Sequence, residues 1–163
     1  MKKTKIYLET SIFNFYFTTD SDEKRDATIK LFKEIKQGKY EAYTSATVIR
    51  ELKKDTEPKR SKMLNLITEY DITIIENISN SEVKNLAAKY VKQSIIPKKY
   101  ATDATHIAIA SIYELDMIIS YNFKHIVKEK TRIFTALINA TLGYKAIKIN
   151  SPMEVIEYEE SKN

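Results

Sequence analysis

The chain has 163 residues, 43% hydrophobic and 30% charged, with 27 Lys and Arg against 22 Asp and Glu for a net charge of +5. That balance fits one folded domain, excludes intrinsic disorder and mildly favours a polyanionic partner. Two glycines exclude a P-loop or a dinucleotide fingerprint, and the lack of cysteine excludes disulfides, thiolate catalysis and Cys-based metal sites.

Lys5–Leu8 reads as a short apolar strand that ends at Glu9-Thr10-Ser11, and Ile12–Phe17 as an aromatic-rich helix or turn. Asp22–Gln37 carries Ala27, Leu31 and Ile35 at helical spacing and is stopped by Gly38. Tyr40–Thr44 reads as a strand and Ala46–Lys54 as a helix capped by Ser45 or Thr44. Lys59–Thr68 is helical, and Ile72–Ile75 is a β-branched strand. Ser79 and Glu82 have capping-box spacing and open a helix running to about Gln93. A loop with Pro97 follows over Ile95–Tyr100, then an apolar helix over Thr102–Tyr113. Met117–Ser120 is a strand, Glu129–Leu142 a helix closed near Gly143, and Ala146–Ile149 a last strand. Ser151-Pro152 starts a helical turn, and the tail from Glu157 is acidic. Such alternation implies an α/β fold with a mostly parallel sheet. No apolar stretch is long enough to span a membrane, and the run Ile6-Tyr7-Leu8 is too short for a signal peptide, so the expected location is the cytoplasm.

Parallel sheets place their sites beyond the carboxyl ends of the strands. Glu9 and Asn122 follow two predicted strands, and Asp103 lies in the first turn of a predicted helix, where the dipole favours a carboxylate. Glu51 sits among Val48, Ile49 and Leu52, at the edge of a buried face. Carboxylates without cysteine partners suit hard cations such as Mg2+ or Mn2+. Each also has a plainer reading, as a dipole-favoured residue, a surface ion-pair partner or a strand-end polar residue. His106, on the apolar helix, reads as a satisfied core residue rather than a ligand. Arg50, Lys53, Lys54, Lys59, Arg60 and Lys62 form either a rail for a nucleic-acid backbone or a solvated face interleaved with Asp55 and Glu57. Phe13, Phe15, Tyr16 and Phe17 read as core or dimer packing in preference to base stacking. Asp116 precedes its strand and belongs to the opposite edge of the sheet.

Four blocks taken together carry a resemblance: Tyr7-Leu8-Glu9-Thr10-Ser11-Ile12-Phe13-Asn14, Ser45 to Leu52, Asp103-Ala104-Thr105-His106-Ile107-Ala108, and Ser120 to Ile126. In order and spacing they resemble PIN-domain proteins, most of all the VapC-like ribonuclease toxins of toxin–antitoxin pairs. The resemblance implies a three-layer α/β/α sandwich with a central, mostly parallel sheet, over a single domain of residues 1–156 followed by an acidic tail at 157–163. It also implies a metal-dependent endoribonuclease with an acidic pocket for Mg2+ or Mn2+, RNA as substrate, a small antitoxin as partner, a homodimer and no membrane. Carried over by position, the acidic residues are Glu9, Glu51 and Asp103, which would hold the metal. Asn122 is the fourth catalytic position, and Ser11 supports the first. Lys53, Lys54, Lys124 and His125 are the candidate phosphate contacts.

The chain departs from that pattern at Glu9, where the family usually has Asp. The extra methylene moves a carboxylate by about an ångström, enough to cost roughly a hundredfold in rate. Mg2+, with its strict octahedral demand, tolerates this less well than larger cations. A catalytically silent module that binds RNA or a partner therefore stays open, as does a nuclease of RNA maturation without an antitoxin.

Overall fold

The computed structural model describes residues 2–76 and 80–158. Its centre is a five-stranded, all-parallel sheet in the order β3-β2-β1-β4-β5, formed by β1 (Thr4–Leu8), β2 (Tyr40–Ser45), β3 (Thr73–Ile75), β4 (Met117–Ile119) and β5 (Lys148–Asn150). The helices are α1 (Thr10–Phe15), α2 (Asp22–Lys36), α3 (Ala46–Leu52), α4 (Lys59–Glu69), α5 (Ser81–Lys92), α6 (Ala101–Ile112), α7 (Glu129–Leu142) and α8 (Pro152–Val155).

Burial along β1 explains the layers. Successive strand residues point to opposite faces, yet Ile6, Tyr7 and Leu8 are all fully buried, so helices cover both sides. On the Tyr7 side stands α6, whose His106 the tyrosine hydroxyl reaches. Asn139 of α7 bonds Tyr90 of α5 and Ser111 of α6, joining those three helices into one layer. Ala42 lies opposite Ile6 in register, and Tyr40, on the same face, donates its hydroxyl to the Val155 carbonyl of α8. α8 packs on α2, which makes the second layer. The expected α/β/α sandwich is therefore observed.

Local signals set most boundaries. Ser45 is the cap of α3, its hydroxyl accepting from Val48 N at 3.3 Å. Gly38 and Gly143 adopt φ of 84° and 80°, the left-handed turn that a Cβ disfavours, just past α2 and α7. The Ser79 cap expected for α5 lies outside the described residues, and Asn80 caps that helix by accepting from Glu82 N at 2.7 Å. The segment after Pro97, expected as a loop, winds into a 3-10 turn over Lys98–Tyr100. β5 falls at Lys148–Asn150, two residues beyond its expected start, because pairing with β4 sets it: Lys148 N donates to Asp116 O and Ser120 N to Asn150 O. The tail begins anchored, with Glu157 bonded to Glu34 and Lys39.

One helix is turned inside out. Along α7 the buried residues are Thr131, Thr135 and Asn139, while Ile133, Phe134, Leu137 and Leu142 are 46–57% exposed. The two threonine hydroxyls satisfy backbone carbonyls, and Asn139 bridges Tyr90, Ser111 and Lys145, so the polar face is comfortable inside.

Candidate functional site

The chain runs outward from β1 through β2 to β3, then returns to place β4 on the other side of β1. That makes the β1–β4 seam the switch point of the sheet, where parallel α/β folds open a crevice at the carboxyl ends. Glu9 follows β1 and Ser120 follows β4, and Glu9 N still donates to Ile119 O at 3.1 Å. A cleft of about 340 Å³ lies here, lined by Glu9, Glu51, Asp103 and Asn122 together with Ser11 and Asn14. The structure thus gathers the four expected acidic and amide positions around one opening. Asp116 sits at the opposite edge, as expected, bonded to Lys5 N and Lys145.

Glu9 is buried and caps α1. Its Oε1 accepts from Ser11 N at 3.2 Å, from Ser11 Oγ at 2.6 Å and from Ser120 Oγ at 2.6 Å. Both hydroxyls are oriented by backbone donors: Tyr121 N donates to Ser11 Oγ at 2.8 Å and Asn122 N to Ser120 Oγ at 2.9 Å. Each serine oxygen is occupied as an acceptor, so its proton goes to Glu9. The carboxylate is folded back onto its own helix, and Oε2 is left for the cleft. Ser11, expected to support the first acid, contacts it through both its amide and its hydroxyl. Ser120 makes a matching contact and escaped sequence reasoning, because that contact requires knowing that β1 and β4 are neighbours.

Glu51 is held differently. Its Oε1 accepts from Thr10 Oγ1 at 2.7 Å and meets His106 Nε2 at 2.7 Å. The other imidazole nitrogen, Nδ1, lies 2.6 Å from Tyr7 Oη, which lies 2.8 Å from Ser45 Oγ. A line of buried polar groups therefore runs from the cap of α3 through β1 and α6 to the cleft. Burial pushes the Glu51 carboxyl up, but the His106 bond and charge, Thr10 and Lys54 together hold it below its ordinary value. Burial likewise pushes His106 down, and the Glu51 bond with the charges of Glu9, Glu51 and Asp103 carries it above its ordinary value. Both shifts favour the charged pair. His106 is thus a satisfied core residue, as its sequence setting suggested, and also the group that holds Glu51.

Asp103 stands apart. Burial raises its carboxyl above the ordinary value and the nearby Glu9 charge adds to this, against the Asn122 side chain, His106 and His125. Asn122 Oδ1 accepts from His125 N at 2.9 Å, which fixes the amide and turns its NH2 toward Asp103. Asn122 is therefore placed to orient Asp103 more than to ligate through its carbonyl oxygen.

Whether a divalent cation fits here turns on the donor set. Among the described residues no group of three or more His, Cys, Asp or Glu side chains is gathered as a full protein cage. Mg2+ and its kin need no such cage, since they keep several waters and use one or two carboxylates plus substrate phosphate. Glu9 and Asp103 are such a pair, both on the lining of the one cleft. Glu51, occupied by His106 and Thr10, lines the same cleft without facing a free choice of partner.

The basic residues divide into two groups. Lys59 pairs with Asp55 and contacts Asn14, and Arg60 pairs with Glu57, so those two are neutralised by neighbours, while Lys62 is exposed with no ion pair among the described residues. Arg50 and Lys54 enter no ion pair among the described residues. Lys53 is exposed at the end of α3. Lys124 reaches over the Tyr100 ring at 5.6 Å. His125 stacks on Tyr100 with centroids 4.2 Å apart, and its Nε2 is buried without a hydrogen-bond partner. Phe13 is core, and Phe15, Tyr16 and Phe17 pack against the core, as read from the sequence.

Comparison with known proteins bears on the fold. No family model matches the chain, and no curated protein does. Among solved structures, the chain is similar to the crystal structure of VapBC2 from Rickettsia felis bound to a DNA fragment from their promoter. The TM-score is 0.55 at 12% identity, over 91% of this chain and 98% of that one. At that identity the likeness is one of fold, and the fold is PIN-like. No helix among the described residues is long and apolar enough to cross a membrane.

Proposed function

We propose that the chain is a metal-dependent endoribonuclease that hydrolyses RNA phosphodiester bonds in the β1–β4 cleft. The carrying observation is the convergence of two carboxylates at the switch point, Glu9 buried and Asp103 half-buried, on the lining of one cleft. Mg2+ or Mn2+ bound there would activate water and relieve charge on the phosphate. Glu9 and Asp103 would hold it, Glu9 through the oxygen that the serines leave free. Asn122 keeps Asp103 in place, and Ser11 and Ser120 keep Glu9 in place. Glu51, kept ionised by His106 and Thr10, accepts a proton bond from water in the cleft and so orients it. Lys53, Lys54 and Lys124 would border the approach of the RNA backbone, whereas His125, expected as a phosphate contact, is buried against Tyr100 and does not present its ring to it.

We assign the chain the role of toxin in a type II toxin–antitoxin pair, held by a small antitoxin in the cytoplasm. Support comes from the neighbour, itself a VapBC2 assembly on promoter DNA. Homodimer formation belongs to the same reading, through the outer face of α7. From Ile133 to Leu142 that face carries no charge, on a chain of net charge +5, so two copies meet there without like-charge contact. Leu137→Glu is expected to convert a dimer to a monomer in sedimentation velocity with the circular dichroism unchanged.

The test of function is incubation of the purified chain with mixed RNA in Mn2+, Mg2+ or EDTA, beside Glu9→Asp. Cleavage is expected with metal only, faster with Mn2+ than with Mg2+, and Glu9→Asp is expected to raise the Mg2+ rate toward the Mn2+ rate. A second reading, a silent RNA- or partner-binding module, is favoured by the engagement of Glu51 with His106 and by Glu9 itself. RNA binding without cleavage by either form in any metal would select it.

A further inference from the structure

Glu51 is a wall shared by two cavities. On its far side from Glu9 and Asp103 lies a second one, of about 290 Å³. Arg50 and Lys54 of α3 and Lys84 of α5 line it, with the hydroxyl residues Thr47, Thr102 and Thr105. None of the three cations enters an ion pair among the described residues, in contrast to Lys59 and Arg60 a turn or two further on. Three cations stand against the one carboxylate of Glu51, which the Lys54 charge already faces, so among the described lining residues the balance is positive. Placing like charges around one hollow costs stability, and an anion in the hollow removes that cost. Thr105 Oγ1 already donates to Ala101 O at 3.2 Å, so the hydroxyls of Thr47 and Thr102 are the ones suited to the remaining oxygens of a phosphate, and guanidinium and ammonium groups to its charge.

We propose that this cavity seats a phosphate of the RNA strand neighbouring the one at Glu9 and Asp103, so that Arg50 and Lys84 set which way the strand crosses the cleft. The inference rests on the nuclease reading for its ligand, and the shared wall at Glu51 is what ties the two phosphates to one strand. Lys84 comes from a helix that shows no nucleic-acid signal in sequence, and only the packing of α5 on α6 brings it to α3.

The test measures binding of a short single-stranded RNA by fluorescence anisotropy in EDTA over a salt series, with cleavage in Mn2+ assayed separately. Arg50→Gln and Lys84→Gln are each expected to weaken binding by about tenfold and to reduce the slope of log affinity against log salt by about 1. Arg50→Lys, which keeps the charge, is expected to keep the slope. Lys33→Gln, an exposed cation near the end of α2, is expected to change neither. Inorganic phosphate as competitor separates a strand site from a lone anion site: RNA is expected to bind far more tightly than phosphate. Equal affinity for the two would overturn the strand assignment. Unchanged affinity and slope in both Gln variants, with cleavage intact, would overturn the cavity while leaving the nuclease reading. Loss of binding in both, with no cleavage by the unaltered chain in any metal, would keep the cavity and remove the nuclease.

Discussion

Asp103→Asn is expected to abolish metal-dependent RNA cleavage, by about a thousandfold or more, while raising the melting temperature of the metal-free protein. The two effects have one cause. Burial and the Glu9 charge raise the Asp103 carboxyl, so the native state takes up that proton more readily than the unfolded chain does. The stability linked to it is complete below the ordinary carboxylate value and is lost as pH rises through the raised one. At neutral pH the ionised side chain is therefore a cost to the native state, and removing its charge is expected to raise the melting temperature. Asn has the same shape and none of the charge. Mn2+ should raise the melting temperature of the unaltered protein and leave Asp103→Asn unmoved, since a ligand stabilises only what it binds. Thermal scans with and without Mn2+ check this, and equal melting temperatures for both proteins in both conditions would contradict it.

His106→Ala is expected to be the most destabilising single change near the cleft, costing about 3–5 kcal/mol. The imidazole is fully buried and bonded at both nitrogens. Its removal leaves Glu51 without its main partner, takes one bond from Tyr7 and opens a void beneath the sheet edge. Against a total stability of 5–15 kcal/mol typical of domains, the loss is large. His106→Gln, which can still offer a donor to Glu51, is expected to recover part of it. Urea denaturation of the three proteins measures the difference. A midpoint for His106→Ala equal to that of the unaltered chain would show that the buried line from Ser45 to Glu51 adds nothing.

The sheet was legible because its strands are short apolar runs between clear stops, and because a parallel sheet buries both faces. Glu9 and Asn122 were legible as strand-end residues, since the carboxyl edge of such a sheet is where sites form. Their supports were not. Ser120 reaches Glu9 only because β4 lies beside β1, and His106 reaches Glu51 only because α6 packs near α3. Nothing in the local sequence around either residue encodes that adjacency. The same holds for the basic residues: Lys59 and Arg60 look like Arg50 and Lys54 in sequence, and only the placement of Asp55 and Glu57 separates a neutralised face from a positive hollow. The inverted face of α7 is a third case, where polar residues go inside because carbonyls and Tyr90 are there to receive them.

Cleavage in this cleft requires a divalent cation held by Glu9 and Asp103. Titrating Mn2+ into the purified chain and following the free ion by paramagnetic resonance tests this directly. Saturable binding to the unaltered chain, weakened at least tenfold in Asp103→Asn with the fold retained, is the predicted result. Binding absent from the unaltered chain, or equally tight in the variant, would contradict it.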